Sequence, residues 1–222
     1  MADTVTPETT ALPVDPTPIA RSPIPTVAPT RVIDGWEVTD RSTAAPLRLA
    51  DLTPLAKVHV RAEEGGALEA ALGVGFLASA RDGHGTLVTG SGPGEWLLIG
   101  PVGTAGEIAQ RIRQLDVEER ITVVDLTHGR ALLRLTGVSG PMLLATMCAI
   151  DLHDRVTPNR TSLRTSVARV VTDVIRDDQG DQRSYLLHCE RSSGAYLAEQ
   201  LQQVGQPHGL EIEGLLAATS LA

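Results

Sequence analysis

Aromatic residues are scarce in this sequence, at 2% of 222 residues: Phe76, Trp36, Trp96, Tyr185 and Tyr196. The hydrophobic core is therefore expected to consist of Leu, Val, Ala and Ile. A flavin, a pterin or a nucleobase is usually held by stacking on aromatic rings. This composition argues against such a ligand being held by the chain alone.

Cysteines, basic charge and long apolar runs are also scarce. Cys148 and Cys189 lie in apolar surroundings on a predicted helix and a predicted strand, which indicates reduced buried thiols rather than a disulfide or metal pair. A net charge of −8 disfavours a nucleic-acid partner. Runs such as Ala131-Leu132-Leu133 are far too short to cross a membrane. Without a basic, apolar leader at the N-terminus, we expect a cytoplasmic protein.

Prolines are concentrated at the N-terminus, where residues 1–30 hold seven of the fourteen. Such a segment cannot bury enough apolar surface to offset its ordering entropy. We predict a proline-rich N-terminal arm over residues 1–30 that is partly disordered. Ile24 and Val27 offer apolar side chains to bury, so residues 21–31 are expected to lie as an arm across a partner.

The segment from Val123 to Leu152 is the strongest local pattern. A buried strand at 123–125 is followed by a polar connection and by a second strand at 131–136. Ser139 and Pro141 are typical of a helix N-terminus. A strand that leads into a helix through one glycine turn indicates a folding nucleus more than an active site.

Both halves of the chain show the element order β-α-β-β-α-β. In the first half we predict strands at 57–61, 86–89, 95–99 and 121–126, and helices at 66–72 and after Thr104, with Glu107 completing a capping box. In the second half we predict strands at 131–136, 164–175, 184–189 and 210–212, and helices at 139–148 and 193–204.

The predicted fold class is therefore α+β, with two ferredoxin-like units packed together. The first unit spans residues 31–128, the second spans residues 129–213, and residues 214–222 form a frayed C-terminal tail.

Three stretches resemble catalytic motifs but fit structural roles better. Gly90-Ser91-Gly92-Pro93-Gly94 precedes a strand and no lysine follows it, which favours a hairpin turn over a phosphate loop. Asp125, His128 and Ser139 could form a triad, but a capped turn explains them equally well. His128, His153 and His188 with the two cysteines lack the spacing of zinc ligands.

Two polar stretches remain open to interpretation. Asp151-Leu152-His153-Asp154 is either a polar helix exit or a site after the organising helix. Arg155, Arg160, Arg164 and Arg169 form either a solvated strand face or a docking face for an acidic partner. Taken together, the residues predict no catalytic, cofactor-binding or metal-binding site in this chain.

Six motifs, in consistent order from about residue 21 to 205, resemble the gamma subunit of heterotetrameric sarcosine oxidase. They are Arg21-Ser22-Pro23, Gly92-Pro93-Gly94-Glu95-Trp96-Leu97-Leu98, Val124-Asp125-Leu126-Thr127-His128, Leu133-Arg134-Leu135-Thr136-Gly137, Cys148-Ala149-Ile150-Asp151-Leu152-His153 and Ser192-Ser193-Gly194-Ala195-Tyr196-Leu197. The folate-binding aminomethyltransferases of the glycine cleavage system are similar at a greater distance. The resemblance does not extend to residues 1–20.

The resemblance implies a noncatalytic subunit in a complex that oxidises sarcosine with oxygen to glycine and hydrogen peroxide, releasing formaldehyde or passing the one-carbon unit to tetrahydrofolate. It implies alpha, beta and delta subunits as partners. FAD is implied in beta, covalent FMN near the alpha–beta contact, NAD and tetrahydrofolate in alpha, and zinc in delta, with no cofactor in the gamma subunit. The implied fold is that of the aminomethyltransferase folate-binding domain.

Two alternatives stay open at this point. A free-standing folate-dependent aminomethyltransferase would need Asp151, which lies near the position where such relatives present a folate-contacting acid. An assembly adaptor for an unrelated complex would copurify with different partners.

Overall fold

The computed structural model describes residues 18–219, and these residues form an α+β fold rich in sheet. A six-stranded sheet consists of β4 (Leu47–Asp51), β10 (Arg130–Gly137), β11 (Ser162–Val167), β12 (Val170–Arg176), β13 (Ser184–Glu190) and β14 (Leu210–Glu213). A five-stranded sheet consists of β5 (Leu55–Arg61), β6 (Ser79–Arg81), β7 (Leu87–Gly92), β8 (Glu95–Val102) and β9 (Thr122–Asp125). A small sheet consists of β1 (Ala20–Arg21), β2 (Thr30–Ile33) and β3 (Trp36–Thr39). The helices are α1 (Ala67–Leu72), α2 (Ala105–Arg113), α3 (Gly140–Ala145), α4 (Gly194–Gly205) and α5 (Leu215–Thr219).

The two large sheets pack face to face, and helices cover their outer faces. Alternate residues of the five-stranded sheet, such as Val58 and Leu98, pack under α1 and α2. Leu133 and Leu135 of the six-stranded sheet pack under α3 and α4. The remaining apolar residues of both sheets meet in a third cluster, which includes Leu87, Leu97, Ile99, Ala50, Leu132, Ile175 and Leu186. We call this third layer the inter-sheet layer.

The order of the six-stranded sheet differs from the predicted division of the chain at residue 128. Its strands run β11-β12-β13-β10-β4-β14, so β4 from the N-terminal half lies between two strands of the C-terminal half. Leu47 and Leu49 pack on the α4 side, and Ala50 packs in the inter-sheet layer. Leu47, Arg48 and Leu49 alternate as in a strand exposed on one face, yet Arg48 is buried and pairs with Glu213 of β14 at 3.1 Å. The place of β4 in the sheet depends on pairing with β10 and β14, which are far away in the chain, so the local pattern did not predict it.

Backbone hydrogen bonds also join the two sheets at one edge. The Ser79 amide of β6 donates to the Arg160 carbonyl at 2.7 Å, and the Ser162 amide of β11 donates to the Leu77 carbonyl at 2.9 Å. These bonds fix how the two sheets lie relative to each other.

The N-terminal segment packs on its own chain, where the sequence predicted an arm across a partner. Ala20 and Arg21 pair in parallel with β3, and Ile24 is 7% exposed in the core beside α4. Strands β2 and β3 form a hairpin whose Trp36 and Val38 enter the inter-sheet layer. Residues 1–17 lie outside the described residues. The disorder that we predict for the first part of the arm therefore stays a prediction.

The predicted frayed tail is wrong for residues 215–219, which form helix α5. Leu215 and Ala218 are each 3% exposed and pack in the inter-sheet layer. This short helix is stabilised by tertiary packing, because five residues are too few to be stable as an isolated helix. Residues 220–222 are outside the described part of the chain.

Several local predictions are confirmed and two are wrong. The Gly90–Gly94 stretch completes β7 and makes the hairpin turn to β8 at Pro93 and Gly94, with Gly94 at φ +64°. Residues 164–175 fall into two strands joined at Ala168 and Arg169, both at positive φ. The capping box is absent, because the Thr104 hydroxyl donates to the Pro101 carbonyl at 2.8 Å instead. Ser139 precedes α3 without making a side-chain capping bond.

Candidate functional site

The residues that resembled a triad have separate partners. The Asp125 carboxylate accepts a hydrogen bond from the Thr127 amide at 2.8 Å. The His128 ring stacks on Trp36, with the ring centroids 4.7 Å apart. Ser139 begins α3. Within residues 18–219, no hydrogen bond joins any two of Asp125, His128 and Ser139, so the turn interpretation accounts for them.

The Asp151–Asp154 stretch is a hydrogen-bonded turn. The Asp151 carboxylate accepts from the His153 amide at 2.9 Å, and its carbonyl accepts from the Thr157 hydroxyl at 2.7 Å. The Asp154 carboxylate pairs with Arg176 at 2.8 Å and with Arg183 at 2.6 Å. These contacts support the interpretation of this stretch as a polar helix exit.

Cys148 and Cys189 are both free thiols. Cys189 is buried as predicted, whereas Cys148 is only partly buried and lies after the end of α3 at Ala145. Cys189 is 2% exposed, and burial raises the pKa of its thiol to about 11. At neutral pH the thiol is therefore protonated and a poor nucleophile. Among the described residues, no three His, Cys, Asp or Glu side chains come together as metal ligands would.

All four arginines of the predicted basic run reach solvent, and two of them also pair within the chain. Arg160 and Arg164 each pair with an aspartate of the same chain, at 2.8 and 2.7 Å. Arg155 and Arg169 are exposed. The charges of Arg160 and Arg164 are therefore partly compensated within the chain, whereas Arg155 and Arg169 have no ion pair among the described residues.

Charged side chains converge instead at both ends of the inter-sheet layer. The first group, which we call the arginine cluster, consists of Asp177, Arg81, Arg134 and Arg160. Asp177 follows β12 and its carboxylate is 1% exposed. It pairs with Arg81 at 2.9 Å, Arg134 at 3.0 Å and Arg160 at 2.8 Å. Three guanidiniums thus share one buried carboxylate, and Arg81 belongs to the opposite sheet.

The electrostatics of the arginine cluster depend on burial. Burial lowers the pKa of Arg134, whereas the charge of Asp177 raises it. A buried ion is tolerated only when a partner compensates for its lost hydration. Asp177 is the partner that keeps the Arg134 guanidinium charged between the sheets.

The second group, which we call the histidine cluster, consists of His59, Glu95, Arg164, Asp173 and His188. The Asp173 carboxylate meets the His188 Nδ1 at 2.9 Å and the Arg164 Nε at 2.7 Å. Glu95 of the opposite sheet lies 3.7 Å from Arg164 and 3.8 Å from His59. A cleft of about 270 Å³ lies beside these residues.

The histidine cluster contains two histidines, His59 and His188, whose pKa values are lowered by burial. Burial lowers the pKa of His188, although the hydrogen bond to Asp173 acts in the opposite direction. Burial also opposes ionisation of Asp173, but its bonds to His188 and Arg164 outweigh burial and lower its pKa. His188 is therefore a neutral imidazole that donates from Nδ1 to an ionised Asp173. Its Nε2 is buried and has no hydrogen-bond partner within the described part of the chain.

An Asp–His pair is one component of general-base chemistry, but a nucleophile must lie within reach of the imidazole. Cys189 is the next residue on the strand and belongs to the core on the opposite face of the sheet. The Ser91 hydroxyl, which also lines the cleft, contacts the Glu95 carbonyl at 3.4 Å. Neither side chain makes a hydrogen bond to His188 in the part of the chain that the structure covers.

Other buried charged side chains lie outside both clusters, among them Lys57, Arg48, Arg176 and Glu213. Lys57 is 0% exposed, and its ammonium donates to the Thr53 carbonyl at 2.6 Å and the Leu55 carbonyl at 2.7 Å. Burial lowers the pKa of Lys57 to about 7, and burial likewise raises the pKa of nearby Asp51. The Lys57 ammonium and the Asp51 carboxylate therefore both make hydrogen bonds within the fold.

The sequence did not predict either cluster. Arg134 stands between Leu133 and Leu135, and Asp173 stands between Thr172 and Val174, so alternation indicates a polar face exposed to solvent. The available signal was the position of charged residues on strands that are otherwise apolar. Only the packing of the second sheet shows that these polar faces are covered.

Comparison with known proteins places the chain in one family. Residues 54–206 match the model of the "Sarcosine oxidase, gamma subunit family". The sarcosine oxidase subunit gamma of Arthrobacter sp is 34% identical over 158 residues, covering 66% of this chain and 74% of that protein. The subunit gamma of Corynebacterium sp. strain P-1 is 32% identical over 154 residues, with the same coverage of 66% and 74%.

Two solved structures show the same fold. A chain of the heterotetrameric sarcosine oxidase from Corynebacterium sp. U-96 aligns with a TM-score of 0.63 at 24% identity, covering 73% of this chain and 85% of that one. The glycine cleavage system aminomethyltransferase T of Bartonella henselae aligns with a TM-score of 0.67 at 16% identity, covering 86% and 57%. Given the match over residues 54–206 and two relatives more than 30% identical, this chain belongs to the sarcosine oxidase gamma subunit family.

Proposed function

We propose that this chain is the noncatalytic gamma-type subunit of a heterotetrameric sarcosine oxidase. The complex would convert sarcosine, oxygen and water to glycine, formaldehyde and hydrogen peroxide, or form methylenetetrahydrofolate when tetrahydrofolate is present. The observation that carries this proposal is the family match over residues 54–206. The alpha, beta and delta subunits would hold the FAD, FMN, NAD, zinc and tetrahydrofolate sites, and the complex would be cytoplasmic.

The distribution of aromatic rings supports a chain that holds no flavin. Trp96 and Tyr185 are at most 1% exposed inside the cores, and Trp36 is already stacked on His128. The remaining rings, Phe76 and Tyr196, are about half exposed on the surface. None of these five rings is placed to cover the isoalloxazine of a flavin in a pocket of this chain.

The internal pairing of charges supports the noncatalytic role. The arginine cluster and the histidine cluster both link the two sheets, through Arg81 to Asp177 and through Arg164 to Glu95. Side chains used in this way hold the relative position of the sheets. We infer that the chain presents a rigid surface to its partners.

Phe76 and Leu77 are the surface residues that we assign to a contact with a flavin-bearing subunit. They are adjacent in sequence and 49% and 48% exposed. The Leu77 amide donates to the Gly90 carbonyl at 3.2 Å, and its carbonyl accepts from the Ser162 amide, so strands of both sheets hold this segment. Leu77 also keeps φ at +67°, which a leucine adopts only where its surroundings impose it. Aromatic residues such as Phe76 are enriched at protein interfaces, and a rigid backbone lowers the entropy cost of binding.

Coexpression of this chain, tagged, with alpha, beta and delta subunits tests the proposal. We expect flavin absorbance and sarcosine oxidation to copurify with the tag, and the isolated chain to form no peroxide from sarcosine. Phe76→Asp should reduce copurification at least tenfold, whereas Val32→Asp, at a valine 54% exposed on β2, should not. Turnover by the isolated chain would contradict the proposal. Equal copurification of Phe76→Asp and wild type would refute only the assignment of the contact.

A second variant tests whether the Asp–His pair takes part in catalysis. His188→Gln can still donate to Asp173 but cannot act as a base. We expect the assembled complex with this variant to oxidise sarcosine at the wild-type rate, as should the complex with the exposed His84→Gln. Loss of activity by a hundredfold or more in an intact complex would make this chain catalytic. Tetrahydrofolate binding by the isolated chain that Asp151→Asn abolishes would favour the aminomethyltransferase alternative.

A further inference from the structure

A cavity of about 390 Å³ lies at the arginine-cluster end of the molecule, between the two sheets and helix α5. Most of its wall is apolar, with contributions from Leu55, Leu87, Ile99, Val102, Leu186 and Leu215. Arg81, Arg134 and Gln179 are also part of the wall. An apolar cavity of this size with a few polar groups has the usual composition of a small-molecule site.

The charge around this cavity is unbalanced. The single carboxylate of Asp177 pairs with three guanidiniums, so the arginine cluster has two positive charges in excess. Asp34 is the acidic residue in the cavity wall, and it lies exposed in the β2–β3 turn. The polar part of the wall is therefore complementary to an anion.

Two polar atoms in the wall residues also lack partners. The Nε of Arg134 and the Oε1 of Gln179 are buried and make no hydrogen bond to any described residue. Arg134 is 6% exposed and Gln179 is 7% exposed, so bulk water does not reach them freely. Buried polar groups in folded proteins are normally paired, so the Arg134 Nε is free to donate to a bound acceptor. The Gln179 Oε1 is itself an acceptor and would need a donor instead.

We propose that this cavity binds a small amphipathic carboxylate. The carboxylate accepts a hydrogen bond from the Nε of Arg134, because Nη1 and Nη2 already donate to Ser184 at 3.2 Å and to Asp177 at 3.0 Å. The apolar body of the ligand packs against the leucines from both sheets. A hydrogen bond between a guanidinium and a carboxylate is charge-assisted and stronger than a neutral one. A monoanion is favoured over a phosphate dianion, because an apolar cavity imposes a larger desolvation penalty on the greater charge. This site is independent of the proposed role of the chain in an oxidase.

Titration calorimetry of the full chain with octanoate tests the proposal, with 1-octanol and acetate as comparison ligands. Octanol lacks the charge and acetate lacks the apolar body. We expect saturable binding of one octanoate per chain, and affinities at least tenfold lower for both comparison ligands. Octanol affinity equal to that of octanoate would overturn the proposal, as would the absence of saturable octanoate binding at millimolar concentration.

Two variants separate the charge from the cavity. Arg134→Met removes the guanidinium and should reduce octanoate affinity at least tenfold. Ala218→Leu fills the cavity from α5 without altering the arginine cluster, and it should have the same effect at an unchanged melting temperature. If Ala218→Leu does not fold, Leu216→Trp at the half-exposed part of the wall replaces it. The exposed Arg155→Gln serves as control and should bind octanoate as wild type does. Wild-type affinity in the cavity-filling variant would refute the proposal.

Discussion

The two ends of the inter-sheet layer perform the same structural task with different chemistry. At one end Asp177, 1% exposed, is paired with three arginines. At the other end Asp173 is paired with one arginine and one histidine, and Arg164 is 46% exposed. The cross-sheet contact is 2.9 Å long in the arginine cluster and 3.7 Å long in the histidine cluster.

This difference shows how burial and partner type determine what a charge pair contributes. A deeply buried carboxylate leaves several uncompensated ions when it is removed, so its loss is costly. A pair near solvent is weakened by water and salt and contributes little. A histidine adds a dependence on pH that arginine does not have. The two clusters therefore allow a direct comparison within one fold.

The largest expected effect is that of Asp177→Asn. Removing this carboxylate leaves three guanidiniums facing one another, so we expect a loss of about 3 kcal/mol in the free energy of unfolding. We use the lower end of the usual range because Arg81 and Arg160 reach solvent, with side chains 31% and 41% exposed. Urea unfolding followed by circular dichroism measures the loss.

Asp173→Asn is the matched variant at the other end. We expect it to cost about 1–2 kcal/mol, because a neutral His188 needs only a hydrogen-bond partner. The comparison between the two ends fails if Asp173→Asn destabilises the protein as much as Asp177→Asn does.

The second expected effect is a dependence of stability on pH that comes from the histidine cluster. Burial lowers the pKa of His188 in the folded state, below the ordinary value of about 6.5 in the unfolded state. As pH falls, the unfolded state therefore binds the proton first, and the free energy of unfolding decreases as pH falls below about 7.5. His59 contributes in the same direction, because burial also lowers its pKa.

Urea unfolding at a series of pH values measures this dependence. His188→Gln should reduce the slope, and the exposed His84→Gln should leave it unchanged. Asp177→Asn should lower the free energy of unfolding equally at every pH in the series, because the arginine cluster contains no histidine. An unchanged slope in His188→Gln would show that other groups cause the pH dependence.

The smallest expected effect is that of Arg164→Gln. The pair of Arg164 with Glu95 is long and partly exposed, so its loss should cost at most about 1 kcal/mol. Screening by 1 M sodium chloride should reduce this cost, since exposed charges interact weakly at high ionic strength. Measuring unfolding at low and high salt checks this expectation, with the exposed Arg155→Gln as control. If the cost of Arg164→Gln does not change with salt, the Arg164–Glu95 pair behaves as a buried ion pair and the expectation is wrong.

Elements with a clear local period were predicted well from the sequence. Helix α4 was expected at residues 193–204 and is found at Gly194–Gly205. Its stripe of Leu197 and Leu201 repeats at helical spacing and is fully buried. Strands β7 and β8 were also expected, because a glycine- and proline-rich turn separates two β-branched or apolar runs.

Elements that depend on distant contacts were not predicted. Strand β4 is covered on both faces, and helix α5 has only five residues. The strands near the N-terminus lie in proline-rich sequence, yet they pair with one another and with the chain's own core. A local pattern does not contain this information, because each element is stabilised by residues far away in the chain.

The sequence by itself determined the α+β class, the main amphipathic helix, the hairpins and the resemblance to the gamma subunit family. These features follow from periodicity, turn residues and ordered motifs, all of which are local. The tertiary structure alone decided that β4 joins the C-terminal sheet and that Asp177, Arg134, Asp173 and His188 are covered. Whether a polar strand face meets water or another sheet depends on how the sheets pack, and that packing brings together residues more than forty positions apart.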